Sequence, residues 1–184
     1  ALILLNAESG EILVMASHPT YDPNLLNETG DSLRTDPDAP LVDRAAQGAY
    51  PPGSLLDPLL AAQFGQFSNP DAEKQREFFN QLGLYTAPEL RLPVGTPSAF
   101  GEIDNLRVSP LQMILAFAPL SNDGVRPAPR IALAVDTPAQ GWVILPANGD
   151  PLKVLEEAKS HQVAESLRAS DQPFWRSGAR STEK

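Results

Sequence analysis

No cysteine occurs among the 184 residues, which excludes disulfides and thiolate metal sites and leaves the redox compartment open. Histidine is nearly as scarce. His18 and His161 stand far apart in the chain, which argues against a histidine-based triad or zinc site. No metal and no cofactor is expected from that composition. No apolar run approaches the length of a membrane span, and no signal peptide is visible. Positive charge is short as well: 14 Lys and Arg against 23 Asp and Glu give a formal charge of −9. That balance speaks against nucleic acid or an anionic membrane as the main partner.

What remains is a globular composition. The 42% hydrophobic content argues against a disordered chain, while 19 prolines and 12 glycines indicate many turns. The length suits one domain over residues 1–184 with a sizeable core. Ala1-Leu2-Ile3-Leu4-Leu5-Asn6 and Glu11-Ile12-Leu13-Val14-Met15-Ala16-Ser17 are apolar runs joined by a turn ending at Gly10, so they read as a β-hairpin. Strands apolar on both faces predict cover on both sides, and hence an antiparallel sheet sandwiched between helices. His18 reads as a strand-end surface residue. Pro19-Thr20-Tyr21-Asp22-Pro23-Asn24 reads as a rigid turn, with Asp22 and Asn24 bonding to backbone. Residues 27–40 are polar and acidic and read as a surface loop.

The centre of the chain is Tyr50-Pro51-Pro52-Gly53-Ser54-Leu55-Leu56-Asp57. Two prolines and a glycine fix a turn, Ser54 is suited to cap a helix, and Pro58 falls in the first turn, where a missing N–H costs least. Ser54-x-x-Asp57 then reads as a capping box. A second reading is open: a hydroxyl at a helix N-terminus lies near free N–H groups and the positive end of the helix dipole, which suits a nucleophile and its oxyanion.

Downstream, residues 71–82 have a helical apolar period, with Asn69 or Asp71 as cap and Gly83 at the C-terminal side. Residues 84–103 show no periodicity. Ser109-Pro110 predicts a capped, buried helix that ends at Asn122-Asp123-Gly124. Short strands are expected over residues 130–135 and 141–145. A helix is expected over residues 151–170, with Leu152, Leu155, Ala158, Val163 and Leu167 on one face.

Tyr50-Pro51-Pro52-Gly53-Ser54 resembles the nucleophile segment of penicillin-binding protein transpeptidases, whose pattern is Pro-Pro-Gly-Ser-x-x-Lys. The hairpin with its Ser-Gly-Glu turn, the segment from Pro19 to Asn24, and Val108-Ser109-Pro110-Leu111-Gln112 resemble the same family. The resemblance implies a β-lactamase/transpeptidase-like fold of the α/β (α+β sandwich) class, and a sheet completed by strands beyond Lys184. It also implies an origin in a longer chain, and work on peptidoglycan at the extracytoplasmic face of the bacterial cell membrane, with the membrane met only through an anchor outside this chain. If active, the partner would be a peptidoglycan stem peptide or a β-lactam; otherwise, cell-wall assembly proteins.

The departures from the family pattern are specific. Asp57 stands where the lysine should be. That lysine lies one helical turn after the serine and can take its proton, whereas a carboxylate is a far weaker base and opposes the oxyanion. Phe67-Ser68-Asn69 is the nearest match to Ser-x-Asn, with Asn69 either a substrate ligand or a plain helix cap. Arg176-Ser177-Gly178 is the only candidate for Lys-Thr-Gly, its guanidinium able to bind a carboxylate; a helix end or tail is the alternative. Trp175 beside it reads as core or interface. The expectation is a transpeptidase-like domain, catalytically impaired, with an active serine acyltransferase drawing its base from elsewhere as the rival.

Overall fold

The computed structural model describes residues 1–65, 70–146 and 148–168. Strands β1 (Leu2–Leu5) and β2 (Ile12–Ala16) form the expected antiparallel hairpin, with Ile3 opposite Met15 and an irregularity after Leu4. Asn6 Oδ1 accepts from the N–H groups of Glu8 and Ser9, and Gly10 closes the turn at φ +76°. Ile3, Leu5, Ile12 and Met15 pack on a small core of Ala46, Leu111 and Leu115.

Leu2, Leu4 and Leu13 stay more than half exposed. The predicted cover on both faces is therefore not met among the described residues. Successive strand residues point to opposite faces, so an all-apolar run specifies two faces without specifying what covers them.

A second correction concerns residues 27–40. A 3-10 turn at Pro23–Leu25, capped by Asp22 accepting from the Asn24 N–H, runs into helix α1 (Leu26–Thr35). Glu28 in its first turn and Arg34 in its last complement the helix dipole, and the Thr29 hydroxyl donates back to the Leu25 carbonyl. None of its residues is buried. Its apolar side rests on Leu26 and Leu33, seven residues apart among polar residues, too sparse a stripe to announce a helix.

The main core joins helices α2 (Asp57–Phe64), α3 (Ala72–Gln81) and α5 (Glu157–Leu167), with Leu59, Phe78, Phe79, Leu82 and Val163 among its members. Helix α3 is capped by Asp71, whose carboxylate accepts from the Lys74 N–H at 2.9 Å, and it ends before Gly83 at φ +78°. Helix α4 (Pro110–Phe117) carries a complete capping box between Ser109 and Gln112 and continues through a 3-10 turn at Ala118–Leu120.

Short strands β3 (Val125–Arg126) and β6 (Leu152–Lys153) pair antiparallel, as do β4 (Ala134–Thr137) and β5 (Gly141–Ile144). The described residues therefore hold three separate two-stranded sheets. The helix expected over residues 151–170 starts later, at Glu157. Its first residues are taken by β6, because Val154 and Leu155 both donate to the Gly124 carbonyl and tie this segment to the chain beside β3.

That tie makes a prediction. Gly124 has φ +82°, and a Cβ there would lie 2.1 Å from the Leu155 carbonyl oxygen. Gly124→Ala is expected to lose about 1–3 kcal/mol of stability through backbone strain and that clash. Gly30→Ala, where nothing lies within 4 Å, is expected to gain about 0.5–1 kcal/mol inside α1. Urea unfolding of the two variants beside wild type measures both signs.

Candidate active-site turn

The turn at residues 50–57 is held at its start by a two-way bridge: Tyr50 donates to the Val108 carbonyl and Val108 to the Tyr50 carbonyl, both at 2.9 Å. Pro51 and Pro52 then restrict the backbone. Pro52 is buried and lies in the right-handed helical region, and Gly53 takes φ +53°. A 3-10 turn at Gly53–Leu56 leads directly into α2.

Ser54 does not cap. It sits inside the 3-10 turn, α2 begins only at Asp57, and neither turn nor helix has a side-chain cap. The capping box is overturned because the 3-10 turn already begins at Gly53, which leaves Ser54 inside it rather than at its start. Ser54 contributes its carbonyl, which accepts from the Asp57 N–H. Its hydroxyl is exposed and makes no hydrogen bond among the described residues.

Residues three apart in a 3-10 turn eclipse, so Ser54 and Asp57 lie on one face. Asp57 is exposed in the first turn of α2, where a carboxylate complements the helix dipole. It occupies the place from which a base would serve Ser54, with the opposite charge. The three described lysines are engaged elsewhere: Lys74 with Asp71 at 3.0 Å, Lys159 with Glu156 at 3.0 Å, and Lys153 with the Asp123 carbonyl. His161 is paired with Asp123, and His18 makes no described hydrogen bond to the turn. Asn69, Arg176, Ser177 and Gly178 lie outside the described residues, as do Phe67, Ser68 and Trp175.

Beside the turn runs a groove of about 610 Å³ lined by Tyr50, Pro51, Pro52, Leu55, Met113 and Phe117, with Ile3 of β1 at one side. Its walls are almost wholly apolar, and Ser54 is not among them. Sequence reading missed it because its walls come from three segments that meet only in the fold.

Comparison with known proteins bears on this geometry. Residues 1–63, which carry the hairpin and the whole turn, match the family model described as the penicillin binding protein transpeptidase domain. The chain is 41% identical over 66 residues to the peptidoglycan D,D-transpeptidase MrdA of Acinetobacter baumannii, a match spanning 33% of this chain and 10% of that protein. It is 35% identical over 104 residues to the peptidoglycan D,D-transpeptidase PbpA of Mycolicibacterium smegmatis, spanning 52% of this chain and 19% of that protein.

Among solved structures, penicillin-binding protein A from M. tuberculosis, as its imipenem acyl-enzyme complex, superposes with a TM-score of 0.74 at 18% identity, over 90% of this chain and 55% of that one. The chain has the fold of a penicillin-binding protein transpeptidase domain. The D,D-transpeptidase domain of a peptidoglycan glycosyltransferase from Eggerthella lenta gives a TM-score of 0.73 at 16% identity, over 90% and 59% of the two chains. The chain thus spans a little over half of these transpeptidase structures, and its matches cover a tenth to a fifth of the curated relatives. The resemblance read from Tyr50-Pro51-Pro52-Gly53-Ser54 is sustained, as is the fold class it implied.

Proposed function

We propose that this chain is a penicillin-binding-protein-like transpeptidase domain, residues 1–184 forming one unit, associated with peptidoglycan synthesis and impaired in acyl transfer. The observation that carries the reading is the unassisted Ser54 hydroxyl with Asp57 on its face. A serine attacks a carbonyl only when its proton has somewhere to go. A lysine amine on the same face would take it and leave a cation beside the oxyanion. Asp57 is a weak base, and its charge opposes the tetrahedral intermediate. On this reading the domain binds cell-wall assembly proteins and keeps the fold without the chemistry. It works at the extracytoplasmic face of the bacterial membrane, held there by an anchor outside this chain.

The rival reading keeps the chemistry. Ser54 is exposed on a turn fixed by Pro52, Gly53 and the Tyr50–Val108 bridge, which favours a serine acyltransferase acting on a stem peptide or a β-lactam with its base supplied from elsewhere. On that reading Asn69, Arg176, Ser177 and Gly178 are the candidate substrate ligands, the guanidinium facing a carboxylate.

Intact-protein mass after incubation with a reactive penicillin separates the two. The impaired reading expects no adduct on wild type or Ser54→Ala, and acylation gained by Asp57→Lys. An adduct on wild type that is absent from Ser54→Ala would establish the active enzyme instead.

A further inference from the structure

A cluster away from the Ser54 turn has no place in the reading above. Asp123 sits in the loop after the 3-10 turn at Ala118–Leu120, at φ +51°. Glu157 and His161 lie four residues apart on α5, and so on one face of it. One ligand atom from each of the three side chains lies within 4.8 Å of the others, and His161 Nε2 is 2.7 Å from Asp123 Oδ1.

We propose that Asp123, Glu157 and His161 form a surface site for one divalent ion of the zinc class. Zinc takes imidazole nitrogen and carboxylate oxygen at about 2.0–2.2 Å, so the donors around a tetrahedral ion stand roughly 3.3 Å apart. The three groups already stand within 4.8 Å of one another, and all three are exposed, so an ion has an open path. Three protein ligands leave a fourth position for water.

The charge around the cluster suits a cation. Among the described residues neither the Asp123 nor the Glu157 carboxylate pairs with a lysine or arginine. Lys153 is close, but it donates to the Asp123 backbone carbonyl, so the Asp123 carboxylate meets only the His161 ring, a contact that an ion between the two would replace. Lys159, between Glu157 and His161 on α5, is taken by Glu156. The backbone is also fixed: the Gly124 carbonyl next to Asp123 accepts from both Val154 and Leu155, just ahead of α5. Loop and helix are therefore already in register. The imidazole sets selectivity, since nitrogen suits zinc, nickel or copper, whereas magnesium and calcium prefer oxygen ligands.

The chain has only two histidines, which makes the test direct. Zinc chloride is titrated into the untagged 184-residue protein while the histidine ring signals are followed by NMR and the melting temperature is recorded. Expected are saturation at one equivalent, a response at His161 with His18 unchanged, and a raised melting temperature. Affinity should fall at least tenfold in Glu157→Gln and in His161→Ala, and magnesium should leave the His161 ring signals unchanged. Equal responses at His18 and His161, or undiminished affinity in Glu157→Gln, would mean nonspecific surface binding and overturn the site. Ser54 chemistry enters none of these readouts.

Discussion

Gln112→Leu is expected to lose roughly 3–5 kcal/mol of folding stability, a large effect for a swap to a side chain of similar size. Gln112 is 5% exposed, and both ends of its amide are used. Its Nε2 donates to the carbonyls of Gly83, Leu84 and Thr86 at 3.3, 3.1 and 3.0 Å, and its Oε1 accepts from the Ser109 N–H at 2.9 Å. The one side chain therefore caps α4 and also pins the chain that leaves α3.

Leucine keeps the volume and strands the Ser109 N–H and the Gly83 and Leu84 carbonyls, all on buried residues, where each unmet bond costs about 1–3 kcal/mol. Ser109→Ala removes only the reciprocal bond, which the Ser109 hydroxyl accepts from the Gln112 N–H, and should cost about 1 kcal/mol. Chemical denaturation of both variants measures the difference. A Gln112→Leu loss no larger than that of Ser109→Ala would mean the three carbonyls find other partners.

Phe79→Ala should cost about 3–5 kcal/mol, the range for truncating a fully buried aromatic ring. Phe79 is 0% exposed and lies 6.5 Å, centroid to centroid, from the ring of Tyr85. Leu82 and Leu84 belong to the same cluster. The site has little freedom to collapse, because the Phe79 carbonyl accepts from the Leu84 N–H and holds the backbone just beyond α3. The cavity therefore stays open and adds to the lost transfer energy. Phe79→Leu, which keeps most of the volume, should lose much less. The midpoints of thermal or urea unfolding give the ranking; equal losses in both variants would mean that ring shape, rather than volume, is what the core requires.

Much of the fold was legible where local rules act alone. Ser109-Pro110 predicted a capped helix, and the capping box with Gln112 formed. Asp71 before an apolar period and Gly83 after it bounded α3, and the two apolar runs about Gly10 made the hairpin. Each rests on contacts within a few residues, which short-range patterns encode. The same logic misplaced Ser54, because a capping pattern says what a serine can do and not where the helix starts. The 3-10 turn beginning at Gly53 moved that start.

Residues 27–40 were misread for lack of a buried face, and residues 151–156 because the pairing of β6 with β3 reaches back 26 residues from Leu152 to Arg126. Asp123 and His161 stand 38 residues apart, so no spacing in the chain predicts their contact.

The sequence by itself determined the hairpin, the capped helices α3 and α4, the family resemblance and the chemical identity of position 57, a carboxylate in place of an amine. Only the tertiary structure decided that the Ser54 hydroxyl stands exposed beside an apolar groove, which lysines are engaged elsewhere, and which acids meet His161. The reason is physical. Capping and apolar period are properties of neighbours along the chain, whereas the environment of a nucleophile or an ion is set by side chains brought together from separate elements when the core closes.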